Sequence, residues 1–365
     1  MKRQFINLVL DSCSSGGFTL RRIKSSSLFQ QSKRGGRSTT AVVEEAELPE
    51  PALSFGPFLP RHREYVLDKR GSITSMPFGG SAGTIFAPFG LDKNKIVNAD
   101  QKGNVVVYDT CEEKVCGMPR LKGCMANSIP INMGDALYII KRCPEKPYEA
   151  CFQALIHGEP PEDVHESPGW HWHSLRPPPY VEAPGYEPSC DFEITSLVVL
   201  GKSILVSAGM CTYRFDTTGH EWSELGSWDL PFHGAAQYVH ELLGRWVGFS
   251  AQPEDQFLCV WDSGLSACDA PTRCRVWSQR EDLAIPEDWE LLSSDLVRVD
   301  YGRFCIARSF LVYEDLDCCR SVKEKFMVLT GIELGKYRDA DGGIGMIKHT
   351  SIRYNFSGYT TYWVF

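Results

Sequence analysis

The sequence lacks a membrane span. No stretch approaches the ~18 consecutive apolar residues that a transmembrane helix requires. The apolar run at the N-terminus, Phe5 to Leu10, is stopped by Asp11, short of a secretory h-region. Convincing amphipathic helices are missing as well, because no segment joins a 3.6-residue apolar period to recognisable caps. There is no basic excess. The chain carries 38 Lys and Arg against 46 Asp and Glu, a net charge of −8, which argues against nucleic acid as a partner, since phosphate binding needs clustered cations. None of the 14 cysteines forms a CxxC; the closest spacings are Cys318–Cys319, Cys111 to Cys116 and Cys268 to Cys274. The chain is also far larger than a disulfide-stapled miniprotein. Several cysteines, Cys259 and Cys305 among them, lie in apolar runs, where the residue behaves as a small hydrophobe. Reduced, mostly buried thiols in an intracellular protein are expected.

Signatures of catalysis and of cofactor binding are equally thin. Gly79-Gly80-Ser81-Ala82-Gly83 is followed by no helical pattern and no Lys-Ser/Thr, so it is not a phosphate loop. No nucleophile elbow is recognised, and an α/β-hydrolase has no support. Asp339-Ala340-Asp341-Gly342-Gly343 resembles a calcium loop only weakly: Ile344 stands where the motif needs Gly and Thr350 where it needs Glu, so a hairpin turn is expected. The sequon at Asn355 would matter only in a secretory protein. No cofactor, metal or catalytic residue is implied.

What is present is β-type sequence. The apolar share of 43% supplies a large core and the charged share of 23% argues against wholesale disorder. Residues 4–10 and 18–23 flank a Ser/Gly cluster and read as a hairpin. Residues 31–51 have no apolar period and read as a mobile connection. Residues 1–40 hold eight Lys/Arg against Asp11 alone, about +7, and the remainder carries about −15. Their Ser/Arg-rich composition keeps organelle import open beside a cytoplasmic or nuclear location. Lys33-Arg34-Gly35-Gly36-Arg37 reads as a solvated linker, with a weak nuclear signal or RNA-contacting arm as the other reading.

Residues 194–230 contain three short β runs, Leu197–Leu200, Ser203–Ser207 and Thr212–Phe215, then a polar turn and Trp222. They read as one four-stranded antiparallel unit. Degraded copies begin near residues 73, 128, 234 and 289 and align on an aromatic followed by an acid: Tyr108-Asp109, Phe215-Asp216, Trp261-Asp262 and Tyr313-Glu314. Asp216 to Asp262 is 46 residues and Asp262 to Glu314 is 52, while Asp109 to Asp216 is 107, about twice that period. Such a period with four short strands is the signature of propeller blades. Phe215 to Trp222 is seven residues, as is Tyr108 to Val115, which resembles the kelch blade; Trp261 to Trp277 is stretched to sixteen and the double glycine of kelch is absent from the expected strands.

A closer resemblance covers nearly the whole chain. FTLRRI (18–23) with Leu28-Phe29, PALSF (51–55), KIVNADQKGNVVVYD (95–109) and the LGKSILVS and TYRFDTTGHEW segments resemble an uncharacterised plant family, domain-of-unknown-function family 1668. That resemblance implies a kelch-like propeller and adds no catalytic residue.

The expected fold is therefore an all-β, kelch-like propeller of four-stranded blades. Six blades fit best, with five or seven open, and N- and C-terminal strands close the ring and remove an exposed sheet edge. In the expected organisation, residues 1–30 complete the last blade, 31–51 link, and 52–365 form the propeller with a Pro-rich insertion at 157–190. That insertion holds eight prolines and is expected on the surface. Its Trp170-His171-Trp172-His173 would place two Trp on one strand face and two His on the other; with His157, His165, Glu162 and Glu166 near, a zinc site can be drawn, against an ordinary outer strand. Trp170, Trp172 and Tyr180 are the aromatic anchors expected to contact a protein partner, with His171 and His173 beside them. The expected function is a monomeric, non-enzymatic scaffold binding protein partners through loops. The rivals are an enzyme or small-ligand protein using the central channel, and an adaptor for ubiquitin ligation.

Overall fold

The computed structural model describes residues 3–12, 17–30, 43–55, 84–100, 102–123, 127–145, 148–161, 167–188, 190–242, 244–251, 257–262, 272–277, 285–316, 319–336, 344–355 and 359–365. Short runs of Val, Ile, Leu and aromatic residues, bounded by Gly, Asp and Asn turns, form strands throughout. The first are β1 (Phe5–Ser12), β2 (Phe18–Lys24), β3 (Val43–Ala46) and β4 (Leu53–Phe55). Next come β5 (Ile85–Phe89), β6 (Lys95–Ala99), β7 (Val105–Asp109) and β8 (Lys114–Met118), then β9 (Ser128–Met133), β10 (Ala136–Lys141), β11 (Phe152–Gly158) and β12 (Gly169–Ser174). The best-marked unit is β13 (Ser196–Leu200), β14 (Ser203–Ala208), β15 (Cys211–Asp216) and β16 (Glu221–Gly226). It is followed by β17 (Phe232–Val239), β18 (Arg245–Ser250), β19 (Leu258–Asp262) and β20 (Thr272–Trp277). The longest strands come last: β21 (Trp289–Asp300), β22 (Arg303–Leu316), β23 (Cys319–Lys336), β24 (Ile344–Asn355) and finally β25 (Tyr359–Val364).

Each consecutive group of four from β5 to β24 is an antiparallel meander. The units β13–β16 and β17–β20 are joined by a parallel pairing of their first strands, Ser196 opposite Gly234 and Val198 opposite Ala236. One further sheet has the order β25-β1-β2-β4, so the first and last strands share it. Val9 lies opposite Trp363 and Leu8 opposite Val364. The Asn7 N–H donates to the Phe365 carbonyl at 2.8 Å and the Phe365 N–H to the Asn7 carbonyl at 3.0 Å. That makes six four-stranded antiparallel groups among the described residues.

Period-2 alternation explains how the groups pack. In a strand, successive side chains point to opposite faces. On β10, Leu137 and Ile139 join a core with β5–β7, while Tyr138 and Ile140 join another with β13–β15. On β14, Ile204 and Val206 face back to β10 and β11, and Leu205 faces forward to β17–β19. Val247 and Phe249 of β18 meet Phe304 and Ile306 of β22. Cys305 and Ala307, on the other face of β22, meet Ile6, Leu8 and Leu10 of β1. Val9, with Phe18, Leu20 and Trp363, then packs on Phe86, Ile96 and Tyr108 of β5–β7. Six cores thus link six sheets in a cycle, which is the order of contacts a six-bladed ring requires. Among the described residues the outer strands have no second neighbour, except β24, which has β3 beside it, and β8 is exposed along nearly its whole length.

The turns carry their own determinants. The Asp109 carboxylate accepts hydrogen bonds from the backbone N–H groups of Cys111 (2.9 Å) and Glu112 (3.1 Å), and Asp216 accepts one from Thr218 (3.0 Å). The acid of the repeated aromatic-acid pair therefore closes the turn into the outer strand. Gly103 has φ +80°, and a Cβ there would stand 2.4 Å from the Leu121 carbonyl oxygen, so both torsion and space demand glycine.

Four expectations need correcting. Val43–Ala46, expected in a mobile connection, is a strand parallel to β24, with Val43 opposite Ser351. The stretch 157–190 is not wholly an insertion, because β12 within it is the fourth strand of its sheet. Tyr313 lies on the second strand of its unit rather than at the end of a third, since β22 runs unbroken from Arg303 to Leu316. Trp277 lies opposite Leu258 rather than Trp261, which accounts for the stretched spacing.

Closure by β25 predicts that Trp363→Ala costs about 3–5 kcal/mol, as for other buried aromatics, whereas Val115→Ala on exposed β8 stays within about 0.5 kcal/mol. Urea unfolding of both variants checks this; equal midpoints would remove β25 from the core.

Candidate functional site

First strands β5, β9, β17 and β21, together with Phe249 of β18 and the end of β25, line a partly open cavity of ≈ 220 Å³. Phe86 of β5, Phe249 of β18, and Trp363 and Phe365 at the chain's end give it aromatic walls; Ser294 and Asp295 of β21 and His233 of β17 give it polar groups. Beneath Ser294 lies Arg308, buried to 1% exposure, whose Nε donates to the Ser294 hydroxyl at 3.3 Å and whose guanidinium stands 5.8 Å from the Phe249 ring centre. Protein atoms enclose Asp295 on its other sides, and this burial pushes its pKa from the ordinary 3.8 up to about 7. The residue retains partial accessibility because the cavity it faces is wide enough for water. Burial, with the charge of Arg142 adding to it, lowers the pKa of His233 and favours a neutral imidazole. The cavity thus offers one carboxyl that changes state near neutrality, one imidazole and one hydroxyl within an aromatic wall.

The side chains expected to anchor a partner are mostly structural. Trp172 is 4% exposed, packs in the core shared with β5–β7, and donates its indole N–H to the Pro119 carbonyl at 2.9 Å. Tyr180 is 3% exposed within the core between β9–β12 and β13–β16. Trp170 is half-buried, 5.2 Å from the Phe89 ring and 5.2 Å from that of His157. The two Trp do share a face, but that face is turned to the neighbouring sheet. His171 is buried, with Nε2 3.1 Å from the Ser167 carbonyl oxygen. His173 is half-buried and its pKa is lowered, first by burial and then by His171, His220 and Lys122. No three His, Cys, Asp or Glu side chains converge to hold a metal among the described residues. Glu162, His165 and Glu166 lie outside those residues, as do Lys33–Arg37 and Asp339–Gly343.

Of the repeated motif, Tyr108, Phe215 and Trp261 are buried at third-strand ends, while Asp262 is exposed. Phe215 lies opposite Trp222 with ring centres 5.0 Å apart. Gly79–Gly83 also lies outside the described residues. It does carry the G-x-S-x-G spacing, yet the described residues contain no α-helix to follow an elbow. Thiols are free at Cys111, Cys116, Cys151, Cys211 and Cys305. No helix among the described residues is long and apolar enough to cross a membrane.

Meandering four-stranded sheets packed face to face in a cycle define a β-propeller. The family model described as "Protein of unknown function (DUF1668)" matches residues 3–354, and the chain belongs to that family. No curated protein matches the chain. Among solved structures, it is similar to the N-terminal domain of Nup159 at 8% identity and TM-score 0.35, covering 78% of each chain. It is also similar to the β-propeller domain of Myceliophteria thermophila Cps50 (Swd1) at 10% identity and TM-score 0.35, covering 74% of this chain and 85% of that one. Neither likeness bears on function.

Sequence reasoning did not find Asp295 and His233, because they are single polar residues in apolar strands, 62 positions apart. Asp295 in a strand, SSDLVRV, is the one signal present. Its raised pKa gives a testable sign. The folded state holds the proton that the unfolded chain releases above about 4, so the associated stability is full below that pH and is lost as pH rises through about 7. Wild type should therefore lose stability relative to Asp295→Asn between about pH 4 and about pH 7, as read by urea unfolding; parallel profiles would show that the carboxyl is well solvated.

Proposed function

We propose that the protein is a non-enzymatic interaction scaffold that binds another protein through the turns at one end of its propeller. In a propeller the first strands run parallel around the axis, as β13 and β17 do, so the turns from first to second strands gather at one end. The observation that carries the reading is at that end. Leu91, in the turn after β5, is 67% exposed, and Tyr301, in the turn after β21, is 73% exposed. Large apolar and aromatic side chains held on short turns over a rigid scaffold suit recognition, and tyrosine is enriched among the residues that dominate binding energy. The contact surface thus moves from the 157–190 stretch, whose aromatics are largely committed to the core, to these turns. Exposed free thiols at Cys111 and Cys116 support a reducing compartment, the cytoplasm or nucleus.

A second reading, a small ligand in the central cavity, is favoured by Asp295 and His233 facing it.

Affinity purification with Tyr301→Ala plus Leu91→Ala tests the scaffold reading. The double variant should retain less than about a tenth of the captured partner, consistent with losing more than about 1.4 kcal/mol of binding. Met210→Ala, at a turn between second and third strands and 77% exposed, should capture normally. Equal capture by all three proteins would contradict the assignment.

A further inference from the structure

Three cations, Arg3, Lys93 and Arg298, stand at the same end of the propeller, where the turns also carry Asp92, Asp135, Glu241 and Asp300. Arg3 precedes β1, and its backbone N–H donates to the Val299 carbonyl at 2.7 Å, which fixes it against the end of β21. Arg298 is the neighbour of Val299, and Lys93 lies in the turn after β5. These cations belong to three sheets that follow one another in the cycle of cores. They are close enough to feel one another: the pKa of Lys93 is pulled down to about 8, first by surrounding protein and then by the charges of Arg3 and Arg298. The Arg3 guanidinium is shifted down to about 10 by burial. Lys93 keeps solvent access although protein surrounds it, as a side chain in a bowl does.

Partners account for one cation only. Arg298 is paired with Glu241 of the turn after β17. Among the described residues no carboxylate pairs with Arg3 or Lys93, and the charges acting on Lys93 are both positive. Holding Lys93 and Arg3 close with no carboxylate of their own is unfavourable, and the cost is relieved when a carboxylate enters between them. An Arg fork and a Lys ammonium side by side suit carboxylate groups.

We propose that this rim binds an acidic peptide segment of a protein partner, its carboxylates seated between Lys93 and Arg3. This deepens the scaffold reading and rests on it. Tyr301 stands three residues beyond Arg298 and Leu91 two before Lys93, so exposed apolar surface flanks the cations. That favours a peptide, with aliphatic atoms beside its carboxylates, over free phosphate. The net negative charge of the chain disfavours nucleic acid.

The test is fluorescence anisotropy with the full chain and a fluorescein-labelled oligoglutamate peptide bearing flanking leucines. The peptide should bind and weaken as salt is raised. Lys93→Gln with Arg3→Gln should lose about ten-fold or more in affinity with an unchanged melting temperature, and Lys93→Arg with Arg3→Lys should retain binding. The proposal is overturned if the glutamine version of the peptide binds equally well, if the glutamine variant binds like wild type, or if inorganic phosphate or a single-stranded oligonucleotide binds more tightly than the peptide. Its failure separates from that of the scaffold reading. If Tyr301→Ala with Leu91→Ala loses a captured partner that Lys93→Gln with Arg3→Gln keeps, the turns bind protein and the acidic assignment falls.

Discussion

Two-sided burial of the middle strands is the constraint on which everything else depends. Every second and third strand lies between two neighbouring sheets, so its odd residues serve one core and its even residues another. β14 shows the limit: all six of its residues are buried. Fully burying one Leu, Ile or Phe contributes roughly 1.5–3 kcal/mol, and each core gathers many. No sheet can bury both faces alone, so each unit requires a neighbour on either side, and only a closed cycle gives every unit two. Pairing of β25 with β1 is the step that meets this condition for the first and last units.

The same constraint sorts residues by the roles left to them. Aromatics near the strand ends, such as Phe215, Trp222 and Trp261, are held in cores, and their acidic neighbours Asp109 and Asp216 are held by turn amides. Freedom to act on other molecules remains at two places: the cavity among the inner strands, and the turns that cap them. The cavity is small and mixes aromatic and aliphatic walls with polar groups, Asp295 and His233 being its ionisable side chains. The rim is wider, and it joins cations from three sheets to exposed Tyr301 and Leu91. The proposed recognition by the rim draws on scaffold geometry, because turns of successive sheets meet around one axis.

Much of this was legible in the sequence. Val105-Val106-Val107-Tyr108-Asp109 and the Ser203–Phe215 segment announce strands buried on both sides, and the near-46-residue spacing announces their repetition. The chain's first and last strands could be assigned to one sheet because a propeller otherwise leaves an open edge. Three features were hidden for physical reasons. Trp172 and Tyr180 sit among prolines and look like surface anchors, whereas alternation on β12 and packing under the next sheet make them core. Tyr313-Glu314 matches the aromatic-acid pair, yet in the long β22 it precedes the hairpin instead of ending a third strand. The rim was invisible because Arg3, Lys93 and Arg298 are far apart along the chain and meet only when the ring assembles.

Ring closure can be read directly from amide hydrogen exchange followed by mass spectrometry on peptides covering 5–12, 203–208 and 359–365. If β25 and β1 close the cycle, the peptide at 359–365 exchanges on the slow timescale of the central strand at 203–208, because its amides open only with the whole ring. Exchange of 359–365 within seconds, while 203–208 remains protected, would show a frayed end and contradict a closed propeller.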